Sequence, residues 1–560
     1  MSVRNGTVLL FALTTVLFLS GCGSSSNKAT PPPSGGFSNS NLSGTYIFSF
    51  SGVDYTNYNV TNTASFFAVV GALQANGSGG LTGTLDINDY ALAVATGGNS
   101  VQTGLSATGN YSVTADGRGT GTINVTINNT AVALGVDFVL SSSSEGLITR
   151  FDNNGSGSGT IDLQTSGVAQ SALQGSYAFG LSGVDSAGNS LSAVGALNLD
   201  ASGNATGSED FNDNGDSTNL ADLPLTASTV TVGSPSGTAE ISASAGALSA
   251  LGFDVWVIDS THLKFIETDT TAVLAGDAFV STQTSFPSGP LVYTMSGEDV
   301  DGYPLAIGGL LTSDGTSSIS SGLEDVNDGG SIGQAPNVNG TFTPFSGGRT
   351  ELTLDGIYNG SSGTQTDTFA AYPYNGGIEL LEIDNIPSGI TVGAAYPQTP
   401  STLAASEGYA LNLSGGNNTD EEDEEGLLEW SEVDLIAQFS TNSSGGMTGL
   451  YDANNSATGL VSDASLGTGT YANDSNGDGR GTASFPSLQA NNNTSVIDTL
   501  SFTYYTVNSS TLVFIETDGA QVATGTLELQ SASSSSAVRP HLAVLHPVVR
   551  AHGSLKQHKK

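Results

Sequence analysis

The chain has 560 residues, with 52 Asp and Glu against 12 Lys and Arg, a formal net charge of −40 and a single Cys. A field of that sign repels nucleic acid and anionic lipid, and one Cys excludes a disulfide framework. A chain of this length divides into about four ordinary domains.

In chain order, Arg4 precedes the apolar run "VLLFALTTVLFL" (8–19), which has signal-peptide length and is short for a membrane span. The run leads into Leu19-Ser20-Gly21-Cys22. This resembles the lipobox of bacterial lipoproteins, which implies that residues 1–21 are a cleaved signal peptide and that Cys22 is acylated. Two or more acyl chains make such an anchor stable. Gly23 follows instead of Asp, which by the same resemblance implies the outer membrane or cell surface. Residues 22–41, rich in Ser, Pro and Gly, read as a flexible tether.

From residue 41 to 532 the chain repeats itself, the first thing to look for in a long sequence. One element is "YIFSFSGVD" (46–54), "YAFGLSGVD" (177–185), "LVYTMSGED" (291–299) and "YALNLSGGN" (409–417). A second contains "LDIND" (85–89), "EDFND" (209–213), "EDVND" (324–328) and "YDANN" (451–455). A third is "FIETD" at 265–269 and 514–518, with "LLEID" (380–384) and "ITRFD" (148–152). The three keep the same order, which divides the chain into units at 42–168, 169–283, 284–401 and 402–532.

Within unit 2 the alternation of apolar residues and the Gly/Asn/Ser turns predict strands at 175–183, 191–199, 203–210, 224–233, 236–244, 250–258, 261–268 and 272–281. No amphipathic helix is expected after the signal peptide. The fold class is therefore all-β, four tandem units of about eight antiparallel strands. A meander of eight loses its exposed edges by closing into an up-and-down barrel, similar in strand count to the lipocalin architecture. A two-sheet sandwich is the alternative.

The pattern "SGTYAFxLSGVD…AVG…DxND" resembles repeat-containing lipoproteins of bacterial envelopes. Unit 3 lacks its Tyr, and unit 4 lacks the Asp of the first element. That resemblance carries no activity across.

The span 41–532 holds all 52 acids and only five Lys or Arg (Arg118, Arg150, Lys264, Arg349, Arg480), a net charge near −47. In a meander the loops after strands 1, 3 and 7 share one end, so the acids of the three elements converge on one rim. A hard cation such as Ca2+ takes several oxygen ligands. On that reading the ligands are Asp185, Asp210, Asp213, Glu267, Asp269, Asp325, Asp328, Glu516 and Asp518. The competing reading is turn chemistry, because Asp and Asn bond their own backbone in tight turns. "DSNGDG" (474–479) opens like an EF-hand loop, but its twelfth position is Phe485, so it reads as a turn.

Catalytic material is sparse. The body holds no Cys and one His, His262, which reads as an exposed turn residue; "GGSIG" (329–333) lies in a polar loop without a strand-to-helix elbow. The paired carboxylates Glu267/Asp269 and Glu516/Asp518 leave an envelope glycoside hydrolase as a distant alternative. The sequence therefore points to a non-catalytic envelope lipoprotein. Its role is surface adhesion, binding or structure, and its partners are the membrane through Cys22 and a surface ligand or protein. A carrier of small apolar ligands inside the barrels is the alternative. Residues 533–560, basic and rich in His, read as a disordered tail.

Overall fold

In the computed structural model the described residues are 36–533, apart from 57–64, 215–217, 234–235, 243–250, 284, 360–362, 385–388, 423–427, 457–458, 487 and 489–498. The apolar run read as a signal peptide, Cys22 and residues 534–560 lie outside the described residues. Strict alternation turns Tyr46, Phe48 and Phe50 of the first strand, Ser43–Asp54, inward, while Ile47 faces out. That strand pairs antiparallel with both the second, Ser65–Asn76, and the eighth, Gly155–Leu163, which closes the sheet. The same closed meander forms over 288–397 and 408–529. In unit 2 the fourth strand, expected unbroken at 224–233, is two pieces, Thr218–Pro224 and Ser228–Val232. Asp222 and Ala227 at the break adopt positive φ. Pairing of its second and third strands still completes that barrel. The protein is thus all-β with four eight-stranded barrels, and the sandwich alternative falls.

One helix was not expected. Tyr90–Thr96 follows the third strand of unit 1; the Asp89 side chain accepts from Leu92 N, and Gly97 ends the helix in the left-handed conformation.

Each barrel has its own apolar interior, and second apolar clusters join the barrels. Ile47, Ala68 and Val70 of unit 1 pack on Trp256, Ile258 and Ile266 of unit 2. Ala178 and Val194 of unit 2 meet Ala370, Tyr372 and Leu381 of unit 3. Ala306 of unit 3 meets Trp430, Ile515 and Val522 of unit 4. Ala410 and Ile436 of unit 4 meet Val139 and Leu147 of unit 1. One patch docks on the same complementary patch of the next unit, and the fourth seam returns to the first unit. A head-to-tail contact whose rotation closes makes a ring.

The residue after each eighth strand bolts the seam. Gln164 Nε2 donates to Val257 O at 2.7 Å, Gln398 Nε2 to the carbonyls of Asp478 and Thr506 at 2.9 Å each, and Gln530 Nε2 to those of Asp116 and Leu140 at 2.9 and 2.8 Å. The two ends of the described chain meet at the closing seam, where Asn41 Nδ2 donates to Ala532 O. Both termini therefore leave from one face of the ring, here called proximal, and the loops after strands 1, 3, 5 and 7 lie on the opposite, distal face.

A ring of about 500 residues is compact, so solution scattering is expected to give a radius of gyration near 23 Å. A markedly larger radius, with the long distance tail of beads on a string, would refute closure.

Candidate functional site

The sequence element Asp-x-Asn on each third strand is the centre of each seam. Its Asn side chain turns outward and donates to backbone carbonyls of the next barrel's distal hairpin. Asn88 reaches Ala272 O at 3.0 Å, Asn212 reaches Glu382 O at 2.9 Å, Asn327 reaches Gln521 O at 2.6 Å, and Asn454 reaches Gly155 O at 2.6 Å. A carboxamide is suited to this because it donates twice and bears no charge to desolvate.

The Asp two residues earlier takes a donor from the neighbouring wall. Asp210 accepts from Arg349 Nε and Nη2 at 2.9 and 2.8 Å and from the Tyr372 hydroxyl. Asp325 does the same with Arg480, at 2.8 Å for both nitrogens, and with Tyr505. Asp452 accepts from Arg118 Nη1 at 2.8 Å. Asp86 faces no cation; Trp256 Nε1 donates to it at 2.7 Å. A bulge in the adjoining strand shapes three of these sites: Gly104, Asp222 and Asp463, all at positive φ, donate their N–H to Asp86, Asp210 and Asp452.

These positions correct the rim expectation for Asp210 and Asp325. Both are buried between barrels, because a guanidinium on the facing wall and the outward parity of the strand draw them sideways. The other residues proposed for Ca2+ lie at distal ends. Asp185 accepts from Ala187 N and Asn189 N, Asp269 from Thr271 N and Gly252 N, and Asp518 from Ala520 N and the Thr499 hydroxyl. Turn chemistry thus occupies these three. Glu267 and Glu516 point into their barrels at the ends of the seventh strands; burial, then Asp269, pushes Glu267 up to about 10, and burial, then Asp518, raises Glu516 well above the carboxylate range. Asp213 and Asp328 end the third strands of their barrels, half-buried. Burial, then the neighbouring Asp299, raises Asp328 to about 6.

Among the described residues the acids close enough to share an ion are a different group in unit 3. Asp367, Glu382 and Asp384 bring carboxylate oxygens within 4.8 Å of one another, with Thr391 and Thr368 N donating into them. Unit 1 lacks this cluster: Leu134 and Arg150 stand at the positions of Asp367 and Glu382, and Arg150 Nε donates to Asp152, the counterpart of Asp384, at 3.2 Å, while its Nη1 donates to Asp54 at 2.7 Å.

His262 is not an exposed turn residue. Its Nε2 lies 2.5 Å from Asp277 Oδ1, and its ring stacks on Phe279 with centroids 4.3 Å apart. Lys264 pairs with the same Asp277 at 2.8 Å and reaches Asp162 of unit 1 at 3.9 Å. Sequence reasoning missed the partners Arg118, Arg349 and Arg480. The available signal was that three of five body cations occupy the start of a fifth strand.

Barrel interiors hold further acids. Glu324 accepts from the Tyr293 hydroxyl at 2.8 Å and from Tyr358 N at 2.9 Å. In unit 2 Phe179 replaces that tyrosine, and both oxygens of the counterpart Glu209 are buried without a partner among the described residues. Burial, then Asp210, pushes Glu209 up to about 8.

No family model matches the chain, and no curated protein matches it. Among solved structures, intact transferrin-binding protein B with its N and C lobes (titled Ap-TbpB) aligns at TM-score 0.16 and 10% identity, covering 70% of this chain and 86% of that one. Transferrin-binding protein B of serogroup B Neisseria meningitidis aligns at TM-score 0.18 and 9% identity, covering 69% and 84%. Scores this low carry no argument about this chain.

Removing Arg349 leaves Asp210 buried and uncompensated, so Arg349→Met is expected to cost about 3–5 kcal/mol in urea unfolding. Asp210→Leu combined with Arg349→Met is expected to cost less than that single change.

A second expectation concerns pH. Asp86, raised to about 7 chiefly by burial, Asp137 and Glu209 at about 8, and Glu324 at about 7 stay protonated in the fold at pH values where the unfolded chain has released those protons. Their contribution is complete below the unfolded values near pH 4 and is lost as pH rises through 7–8. The melting temperature is therefore expected to fall between pH 5 and pH 8.5, with a shallower slope in Glu209→Gln.

Proposed function

We propose that the chain is a non-catalytic lipoprotein of the cell envelope, anchored through Cys22, whose ring presents an acidic distal face to a cationic surface ligand or protein. One observation carries this reading. The body's five Lys and Arg side chains are all spent in ion pairs inside seams or barrel mouths, each no more than 14% exposed. The outer surface is left with acids alone among its charged Lys, Arg, Asp and Glu groups, apart from the fringe of Arg480. Asp185, Asp213, Asp269, Asp299, Asp301 and Asp518 line the distal face. The tether leaves from the proximal face, so the distal face looks away from the membrane.

The fold supports display more than catalysis. Turn N–H groups already hold Asp185, Asp269 and Asp299, and the paired acids at the barrel ends recur as structural counterparts. Ca2+ is the small cation proposed for Asp185, Asp269 and Asp518, because an ionised carboxylate has more acceptor sites than the two or three donors that each of them receives.

Two measurements test the reading. Cys22→Ser is expected to move the protein from the membrane fraction to the soluble one. For the face, binding of a short oligolysine is followed at low salt. Changing Asp185, Asp299, Asp301 and Asp518 to Asn is expected to weaken it by about tenfold, because steering and attraction scale with the local field. Neutralising the proximal acids Asp200, Asp259, Asp314 and Glu407 is expected to have a smaller effect. Equal losses from both sets would remove the distal face as the binding surface.

A further inference from the structure

Charge is sorted along this chain. The body holds all 52 acids, while the Lys and Arg outside it are Arg4, Lys28, Arg539, Arg550, Lys556, Lys559 and Lys560. Residues 534–560 thus carry five of these cations and no acid, and the cations flank the apolar run "LAVLHPVV" (542–549). They follow directly on the closing seam. Ser531 N donates to Ser141 O at 2.7 Å, and Ala532 O accepts from Asn41 Nδ2 at 3.0 Å. Phe37 and Ala532 pack in one apolar cluster at that end of barrel 1. The segments before residue 36 and after residue 533 therefore leave the proximal face side by side, next to the turn Ser141–Ser144 of unit 1.

That side of the proximal face is poorer in acids than the repeat allows. In the turn after each second strand, one side-chain oxygen accepts from the N–H groups two and four residues on. Units 2 and 3 use Asp200 and Asp314, at distances between 2.7 and 3.0 Å. Units 1 and 4, which form the closing seam, use the neutral Asn76 and Asn442 for the same two bonds, at 2.8 to 2.9 Å. The turn after the sixth strand repeats the contrast. Asp259 accepts from Thr261 N in unit 2, whereas Ser142 and Asn508 accept the equivalent bond in units 1 and 4. Asp and Asn serve such turns equally well, so the fold does not impose the neutral choice. Of the acids at this end of units 1 and 4, Asp116 and Asp474 are paired with Arg118 and Arg480, Glu407 is exposed and Asp478 half-buried.

We propose that residues 534–560 bind the anionic lipid headgroups of the membrane that holds the Cys22 anchor, as a second attachment beside the acyl chains. Where that membrane lies rests on the Cys22 reading, whereas the test below needs no acyl group. Each basic residue held against an anionic lipid surface tightens binding by about fivefold. An acyl signal joined to a basic segment is stable where either alone is readily reversible. The segment can extend about 90 Å from Ser533. Repulsion from the acidic body is screened beyond about 10 Å at 0.1 M salt. The body's own acids are the competing partner for these cations. The distal acids lie about 25–30 Å away along the barrels, and neutral turns border the exit, which favours the membrane.

The sample is the chain from residue 22 onwards with Cys22→Ser, and the probe is sedimenting vesicles at about 0.1 M salt. Binding to phosphatidylcholine vesicles containing about one-third phosphatidylglycerol is expected to exceed binding to phosphatidylcholine alone by about tenfold or more. Deleting 534–560 is expected to abolish that excess. The combined variant Arg539→Gln, Arg550→Gln, Lys556→Gln, Lys559→Gln and Lys560→Gln is expected to do the same. Without acyl chains the attachment dilutes away on cell fractionation, so the soluble outcome expected for Cys22→Ser stands. Equal sedimentation with both kinds of vesicle, or an undiminished excess in the Gln variant, would overturn the proposal. A lower melting temperature on deletion, or stronger oligolysine binding without loss on vesicles, would place the segment on the body's acids and overturn it too.

Discussion

Everything about the assembly depends on the outward-facing Asp and Asn of each third strand finding donors and carbonyls on the next barrel. An up-and-down barrel is complete in itself, because closure leaves no strand edge to pair. Nothing in a barrel's own hydrogen bonding therefore specifies a neighbour. Here that specification comes from side chains on the outer surface: a carboxylate aimed at an arginine, and a carboxamide reaching main-chain carbonyls two residues further along. The apolar patches around them supply area, while the polar pairs fix register. An ion pair of this kind is worth little against an apolar replacement but is costly to half-remove. Such pairs discriminate between correct and shifted docking.

Much of the fold was legible in the sequence. Period-two alternation and Ser-Gly breaks gave the strands of unit 2 to within a few residues, and the ordered recurrence of three elements gave the barrels. Two features were hidden for physical reasons. The helix Tyr90–Thr96 is only two turns, set by a local Asp cap and a Gly stop, and such a segment has no extended periodicity. The break in the fourth strand of unit 2 depends on positive φ at Asp222 and Ala227, which the residue types permit without demanding.

The site was half legible. Asp-x-Asn recurred plainly, and its acids were visible, but alternation alone says only that side chains at 208, 210 and 212 share one face. Whether that face meets solvent or another barrel depends on a partner more than a hundred residues away. Arg349, 139 residues after Asp210, carries no local mark of its role. Charge counting came nearest: in a body so poor in cations, each Arg has a surplus of acids to choose from, and burial selects which one it keeps. The turn acids were the opposite case, because Asp185 and Asp269 are satisfied within four residues or by one adjacent strand, and short-range chemistry is readable from short sequence.

Closure also explains how far the four units have been free to diverge. Seam 1|2 has lost its arginine and substitutes the indole of Trp256; barrel 2 buries a lone Glu209 where barrel 3 satisfies the same carboxyl with tyrosine; barrel 1 has Val136 where the others hold Phe253, Phe369 and Phe502. Each change costs stability in an isolated domain, and a barrel of about 120 residues has only a few kcal/mol to lose. In a closed ring every barrel is held by two seams, and local opening must break both. Stability is then shared across units while sequence is not, so one unit can keep an unpaired acid that a free-standing copy would be pressed to repair. These departures from the repeat therefore fall at buried positions, while the acidic distal turns recur from unit to unit.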